Sequence, residues 1–264
     1  MTRAKRLSLK ISRVMSRFVY SFFQGPYLKK LKFFVICGWL TFLKALKIRS
    51  INLEFLAFLS SYQGKSYSQF RQDLFALFIS KNWAERAFIE IGVGDGVEIS
   101  NTYLLESEYK WNGVLVEPNR MFVDSIRNLR SAKHIEAALT THDIGEVEFF
   151  TGKRGVFASL LSTGATNKQS SYWVKSIPVS KVFGGYQKDD LALLSLDIEG
   201  GEDEIVIALM TMSCRPFLIV VEHNYEQFKA LRIKQSLIAN DYKLLCENIS
   251  EVDYWFVRND KINL

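Results

Sequence analysis

A glycine-rich turn and a small set of acids mark where this chain could do chemistry. Residues Phe88-Ile-Glu-Ile-Gly-Val-Gly-Asp-Gly96 run from an apolar strand pattern into a helical one. Gly92, Gly94 and Gly96 therefore fall where the backbone must turn sharply and let a ligand approach the main chain. Glu90 stands two residues before the first glycine, and Val114-Leu-Val-Glu117 places a second carboxylate at the end of the next strand. There it can accept hydrogen bonds from two ribose hydroxyls. Asp197 interrupts the apolar run Leu191 to Ile198, where a carboxylate is costly unless it is paired or used. Glu199 follows on the same side of an extended chain. His223, with an ordinary pKa of about 6.5, emerges after another apolar run, flanked by Glu222 and Asn224. Asp197, Glu199 and His223 are the candidate acid/base groups. No metal centre is expected, although Asp197, Glu199 and Asn224 would offer magnesium hard oxygen ligands.

The spacing of the turn narrows its ligand. A dinucleotide fingerprint reads G-x-G-x-x-G, with its third glycine packing the helix beside a pyrophosphate. That position here is Val97, and the acid-x-G-x-G-x-G pattern instead resembles the first motif of class I methyltransferases, which bind S-adenosylmethionine. Two other readings stay open: an NAD-dependent oxidoreductase on a Rossmann-like sheet, and a methyltransferase fold kept as a non-catalytic binding module. Plain structural roles compete at several positions. Asn224 can cap a helix starting at Tyr225, with Gln227 completing a capping box. Ser100 and Asn119 are credible caps, and His134 and His142 read as surface or loop residues.

These groups need a scaffold. Ala87 to Ile91, Gly113 to Val116, Leu191 to Leu196 and Phe217 to Val221 are short apolar runs, as strands buried on both faces should be. Helical patterns follow them at Glu98 to Glu108, Arg120 to Arg130, Glu202 to Met212 and Tyr225 to Ile238. Ile135 to Ala138 and Asp253 to Val257 read as further strands. Glu146 to Thr151 and Ile177 to Val182 read as antiparallel strands around a polar stretch, Gly152 to Ser171, suited to a substrate lid. The expectation is an α/β fold: a Rossmann-like, mostly parallel sheet with a β insertion.

Charge divides the chain. Residues 1–50 hold twelve Lys or Arg and no acid, whereas residues 51–264 carry a net charge of −6, so the overall +6 belongs to the arm. A nucleic-acid partner is not expected. The arm's longest apolar run, Phe33 to Leu43, is shorter than the roughly twenty residues that span a bilayer. Its aromatics and lysines suit an anionic membrane surface, with a helical extension packed on the core or a targeting segment as alternatives. Residues 1–60 are thus read as an arm, and 61–264 as the catalytic domain. Three widely spaced cysteines suggest neither disulfides nor a zinc site, in keeping with a cytoplasmic protein, peripheral at a membrane where the arm binds one.

Taken in order, several segments resemble the FkbM-type methyltransferase family. They are Ser68-Gln-Phe-Arg-Gln-Asp-Leu-Phe75, Phe88 to Thr102, Trp111-Asn-Gly-Val-Leu-Val-Glu-Pro-Asn119, Leu194-Ser-Leu-Asp-Ile-Glu-Gly-Gly-Glu202, Val221-Glu-His-Asn224 and Asp253-Tyr-Trp255. The resemblance spans about residues 66 to 258. It implies a seven-stranded methyltransferase sheet, S-adenosylmethionine as cofactor, and O-methylation of a sugar, glycan or other hydroxylated small molecule. It makes Glu90, Gly92, Gly94, Asp95, Gly96, Glu117, Pro118 and Asn119 cofactor residues, and sets Ser100 and Asn101 beside the methionine end or the acceptor. Val93-Gly94 departs from a common family form, Ala-His.

Overall fold

The computed structural model describes residues 51–151 and 170–262. The arm at 1–50 and most of the expected lid fall outside these, and with them the membrane and lid readings. The chain divides into two compact units, one containing Met1–Lys65 with Leu245–Glu251, the other Ser66–Leu244 with Val252–Asn263. In the first, α1 (Ile51–Ser61) buries Leu53, Phe55 and Leu56, and Phe58 contacts the rings of Phe55 and Tyr62. No helix among the described residues is long and apolar enough to cross a membrane.

The second unit carries the site. After α2 (Gln72–Ser80), strands β1 (Ala87–Ile91) and β2 (Asn112–Val116) are separated by the short α3 (Tyr103–Ser107). A 3₁₀ turn (Arg120–Phe122) leads into α4 (Val123–Leu129) and β3 (Lys133–Ile135). Next come β4 (Ala138–Thr140), β5 (Glu146–Thr151), β6 (Ser170–Pro178) and α5 (Val179–Phe183). The chain closes with β7 (Leu193–Leu196), α6 (Glu202–Leu209), β8 (Leu218–Glu222), α7 (Gln227–Ala239), β9 (Tyr242–Leu245) and β10 (Asp253–Arg258).

Seven strands form one sheet in the order β3-β2-β1-β7-β8-β10-β9. The pairs β3/β2, β2/β1, β1/β7 and β7/β8 are parallel, and β10 is antiparallel to β8. This is the seven-stranded, mostly parallel α/β sheet expected. The antiparallel β10 between β8 and β9 sets it apart from the dinucleotide-binding order 3-2-1-4-5-6. Apolar residues of β1, β7 and β8 (Ile89, Ile91, Leu194, Leu196, Ile219, Val221) pack with Ile205, Val206 and Leu209 of α6 and Ile233 and Leu237 of α7. Each such side chain contributes roughly 1.5–3 kcal/mol. Strand order reverses between β1 and β7, and ligands of open α/β sheets bind at such a switch point, beyond the carboxyl ends of the strands.

Several expected elements shift. The expected antiparallel strand Ile177 to Val182 is the end of β6 followed by α5, with Pro178 at the N-cap of that helix. Ile135 to Ala138 splits, β3 staying in the main sheet and β4 joining a separate three-stranded sheet, β4-β6-β5. Helix Glu98 to Glu108 shortens to α3, since hydrogen bonds to Glu90 hold residues 100–102 in a loop. Strand β9 was not anticipated.

Candidate active site

The three glycines of the turn serve three different purposes. Gly92 has φ +77°, and a Cβ there would lie 1.5 Å from the Asp197 carbonyl oxygen, so β1 can meet the end of β7 only through glycine. Asp197 N–H donates to Ile91 O at 3.0 Å, sealing that junction. At Gly94 (φ +60°) a Cβ would meet nothing within 4 Å; it faces open space, as a ligand-facing glycine should. Gly96 (φ +89°) instead makes room for Arg130 and Ile126, each 3.3 Å from its would-be Cβ.

Glu90 and Glu117 hold this loop in place. The Glu90 carboxylate accepts from Ser100 Oγ (2.9 Å), Asn101 N–H (2.6 Å) and Thr102 Oγ1 (2.5 Å). Arg130 lies 3.5 Å from it and donates through Nε to Glu106 at 2.7 Å, through a second nitrogen to Gly96 O, and through a third to Thr102 Oγ1. The Arg130 guanidinium and the Ser131 hydroxyl and N–H keep the Glu106 carboxyl below its usual range despite burial. Glu117 Oε2 accepts from Val93 N–H (2.9 Å) and Gly94 N–H (3.0 Å), and Oε1 from Asn119 N–H (2.8 Å). A carboxylate has about four acceptor positions, so one remains on Oε1 for a ribose hydroxyl where two contacts were expected. Burial raises its pKa.

The loop forms one end of a cavity of about 420 Å³, within the range of small-molecule sites (roughly 300–1,000 Å³). Glu90, Gly92, Gly94, Asn101, Glu117, Pro118, Asp197 and Glu199 all line it. Asp95, Gly96, Ser100, Asn119 and His223 do not. Asp95 Oδ1 accepts from Val97 and Glu98 N–H. Asn119 Oδ1 accepts from Met121 N–H and the Tyr172 hydroxyl and caps the 3₁₀ turn, whereas Ser100 Oγ accepts from Thr102 and Tyr103 N–H in the loop ahead of α3, whose N-cap is Thr102. The His223 ring packs 4.2 Å from that of Tyr254 and accepts from Tyr225 N–H at 3.1 Å. Asn224 is no helix cap. Its Nδ2 donates to Glu222 Oε2 at 2.7 Å, and α7 starts only at Gln227.

Sequence reasoning missed part of the lining. Phe122, Ala137, Leu139 and Phe149 add apolar side chains to the lining. The run immediately after β3 was the available signal. Glu222 ends β8 as Asp197 follows β7, and could have been read by the same argument. Carboxylate oxygens of Asp197, Glu199 and Glu222 lie within 4.8 Å of one another, and Asn224 lines the same cavity. Burial first, then the neighbouring Asp253 carboxylate, lifts Asp197 to about 7. Burial and Asp197 lift Glu199 to about 7, and burial with Asp197 and Glu199 lifts Glu222 to about 10. Glu199 itself sits at φ 56°, a left-handed conformation that costs a non-glycine residue about 1–3 kcal/mol.

A family model, the methyltransferase FkbM domain, matches residues 90–244. No curated protein matches the chain. Two solved structures are similar at low identity. One is precorrin-6y C5,15-methyltransferase from Geobacter metallireducens GS-15, at 11% identity over 74% of this chain and 91% of that one, with a TM-score of 0.40. The other is the plantazolicin methyltransferase BpumL in complex with SAH, at 12% identity over 96% of this chain and 98% of that one, with a TM-score of 0.39. The family match covers the glycine turn, Glu117, the Asp197–Glu199 segment and Glu222 within a single cavity. The chain belongs to the FkbM methyltransferase family and is an S-adenosylmethionine-dependent methyltransferase.

Proposed function

We propose that the protein is an O-methyltransferase acting on a hydroxyl of a sugar, glycan or glycoconjugate. The observation that carries this reading is the acceptor end of the cavity, where Asp197 and Glu199 stand with raised pKa values beside Gly92 and Gly94. A hydroxyl is a poor nucleophile at neutral pH and needs a base positioned to take its proton. Carboxyl groups held near 7 are matched to that task; an amine or thiol acceptor would need it far less.

S-adenosylmethionine, when bound, supplies an electrophilic methyl on a sulfonium. The chain's own residues do the rest. The open space at Gly94 admits the ligand to the main chain, Glu117 offers its remaining acceptor position to a ribose hydroxyl, and Phe122, Leu139 and Phe149 take a flat ring out of water. Asp197 or Glu199 receives the hydroxyl proton as the acceptor oxygen forms its bond to carbon. Most of the acceleration comes from holding that oxygen in line at near-contact distance. The basic arm at 1–50 suits an anionic membrane surface, which favours a lipid-linked glycan as acceptor.

Transfer of a labelled methyl group, screened over sugars, nucleotide sugars and lipid-linked glycans, tests the reading. Label is expected on a hydroxyl oxygen, and Asp197→Asn should lower kcat by about 10²–10⁴-fold while S-adenosylhomocysteine still binds. Label found only on nitrogen or sulfur acceptors would overturn it.

A further inference from the structure

The turn that follows β2 is held from outside the main sheet. Tyr172, near the start of β6, stands 52 residues from Arg120 and 53 from Asn119 in the chain, yet its hydroxyl meets both. It lies 3.1 Å from Asn119 Oδ1 and 3.2 Å from the Arg120 backbone nitrogen. The Arg120 guanidinium donates to Trp173 O at 3.0 Å and sits 5.1 Å from the centre of the Tyr172 ring. That ring also meets Phe149 edge to face, with centroids 5.6 Å apart, and Phe149 lines the cavity.

The partners of the hydroxyl fix its polarity. Met121 N–H can only donate, and it donates to Asn119 Oδ1 at 3.1 Å, so turning the amide over would set its NH₂ group against a donor. The Asn119 atom that faces Tyr172 is therefore an acceptor, and the tyrosine donates to it. Arg120 N–H likewise can only donate, and it fills an acceptor position of the same hydroxyl. A phenylalanine ring would take up the same space and make neither bond.

What the hydroxyl holds is the backbone that sets Glu117. Asn119 is 1% exposed, and its N–H donates to Glu117 Oε1 at 2.8 Å. Val93 and Gly94 N–H occupy Oε2. The placement of Asn119 thus decides which acceptor position of Oε1 is filled and which is left for a ligand.

We infer that Tyr172 is a positioning residue for the cofactor: through Asn119 it keeps one acceptor position of Glu117 Oε1 open for a ribose hydroxyl, which makes the β4-β6-β5 sheet a working part of the cofactor site. The inference rests on the assignment of Glu117 to the ribose and is independent of which acceptor is methylated.

Calorimetric titration of the full-length protein with S-adenosylhomocysteine tests it. Tyr172→Phe keeps the ring and removes the hydroxyl, and binding about five- to tenfold weaker is expected from one lost hydrogen bond and one donor left unpaired. Asn119→Ala cuts the same link at its other end and should weaken binding at least as much. In a Glu117→Gln background, adding Tyr172→Phe should change affinity by less than about twofold, because the route from Tyr172 to the ribose is already broken. A purely structural role would lower the thermal midpoint of Tyr172→Phe and leave affinity within about twofold of wild type; that result, or unchanged affinity in Asn119→Ala, would overturn the inference. A loss in the double variant as large as in Tyr172→Phe alone would do the same, since Tyr172 would then act elsewhere. Wild-type protein that binds no S-adenosylhomocysteine would strike the cofactor assignment itself, and the inference with it.

Discussion

The two ends of the cavity manage charge in opposite ways. At the cofactor end, Glu90, Glu106 and Glu117 are tied by short hydrogen bonds to backbone N–H groups, hydroxyls and Arg130. At the acceptor end, Asp197, Glu199, Glu222 and Asp253 crowd together, and among the described residues no Lys, Arg or His lines their cavities. The first end is finished as built and holds its shape. The second stores repulsion, an orphaned Asp197 oxygen and a left-handed Glu199, all released when something positive or proton-donating arrives.

Breaking the balanced end should have the largest effect. Arg130→Met leaves Glu90 and Glu106 buried without a counter-charge, so a loss of about 3–5 kcal/mol is expected in urea unfolding, together with loss of S-adenosylhomocysteine binding. A loss under about 1 kcal/mol would mean that the two ends do not differ as described.

The unbalanced end should respond to pH. Carboxyl groups titrate near pH 4 in the unfolded chain, whereas Asp197 and Glu199 titrate at about 7 and Glu222 at about 10 in the fold. The folded protein therefore binds more protons than the unfolded one above pH 4. Stability accordingly falls as pH rises from 4 through these folded values, by up to about 1.4 kcal/mol per pH unit for each proton that only the fold retains. Glu222→Gln, which mimics the protonated acid, should flatten that fall. An unchanged slope in the variant would move the effect elsewhere.

The smallest effect sharpens the boundary of the site. His223→Gln should leave kcat within about threefold, or about 0.7 kcal/mol, because the ring is engaged by Tyr254 and the Tyr225 N–H outside the cavity lining. A hundredfold drop would return His223 to the chemistry.

Much of the cofactor end was legible in the sequence because its signals are local. Strand β1 and the glycine turn lie within ten residues, and the run at Val114 ends on Glu117. What lay beyond reach depends on contacts far apart in the chain. Arg130 meets Gly96 across 34 residues, and Gln72 meets Asp253 across 181. Neither residue has a pattern of its own. Ile177 to Val182 misled because six residues of mixed alternation fit the end of a strand and a single helical turn equally well. His223 drew attention by residue type, whereas Glu222 beside it faces the cavity; only the register of β8 against β7 and β10 decides which neighbour turns inward.

The collision that forbids any side chain at Gly92 also fixes a ruler. With β1 pressed against the Asp197 carbonyl, the separation between the donor's seat and the acceptor's base is set by main chain, in a junction that no change of side chain elsewhere can stretch. The acceptor pocket is thereby free to drift in sequence, around Gln69, Ile99 and Val252, and to take up new alcohols without misaligning the reaction axis. Retargeting this scaffold should thus begin at those positions and leave the junction untouched.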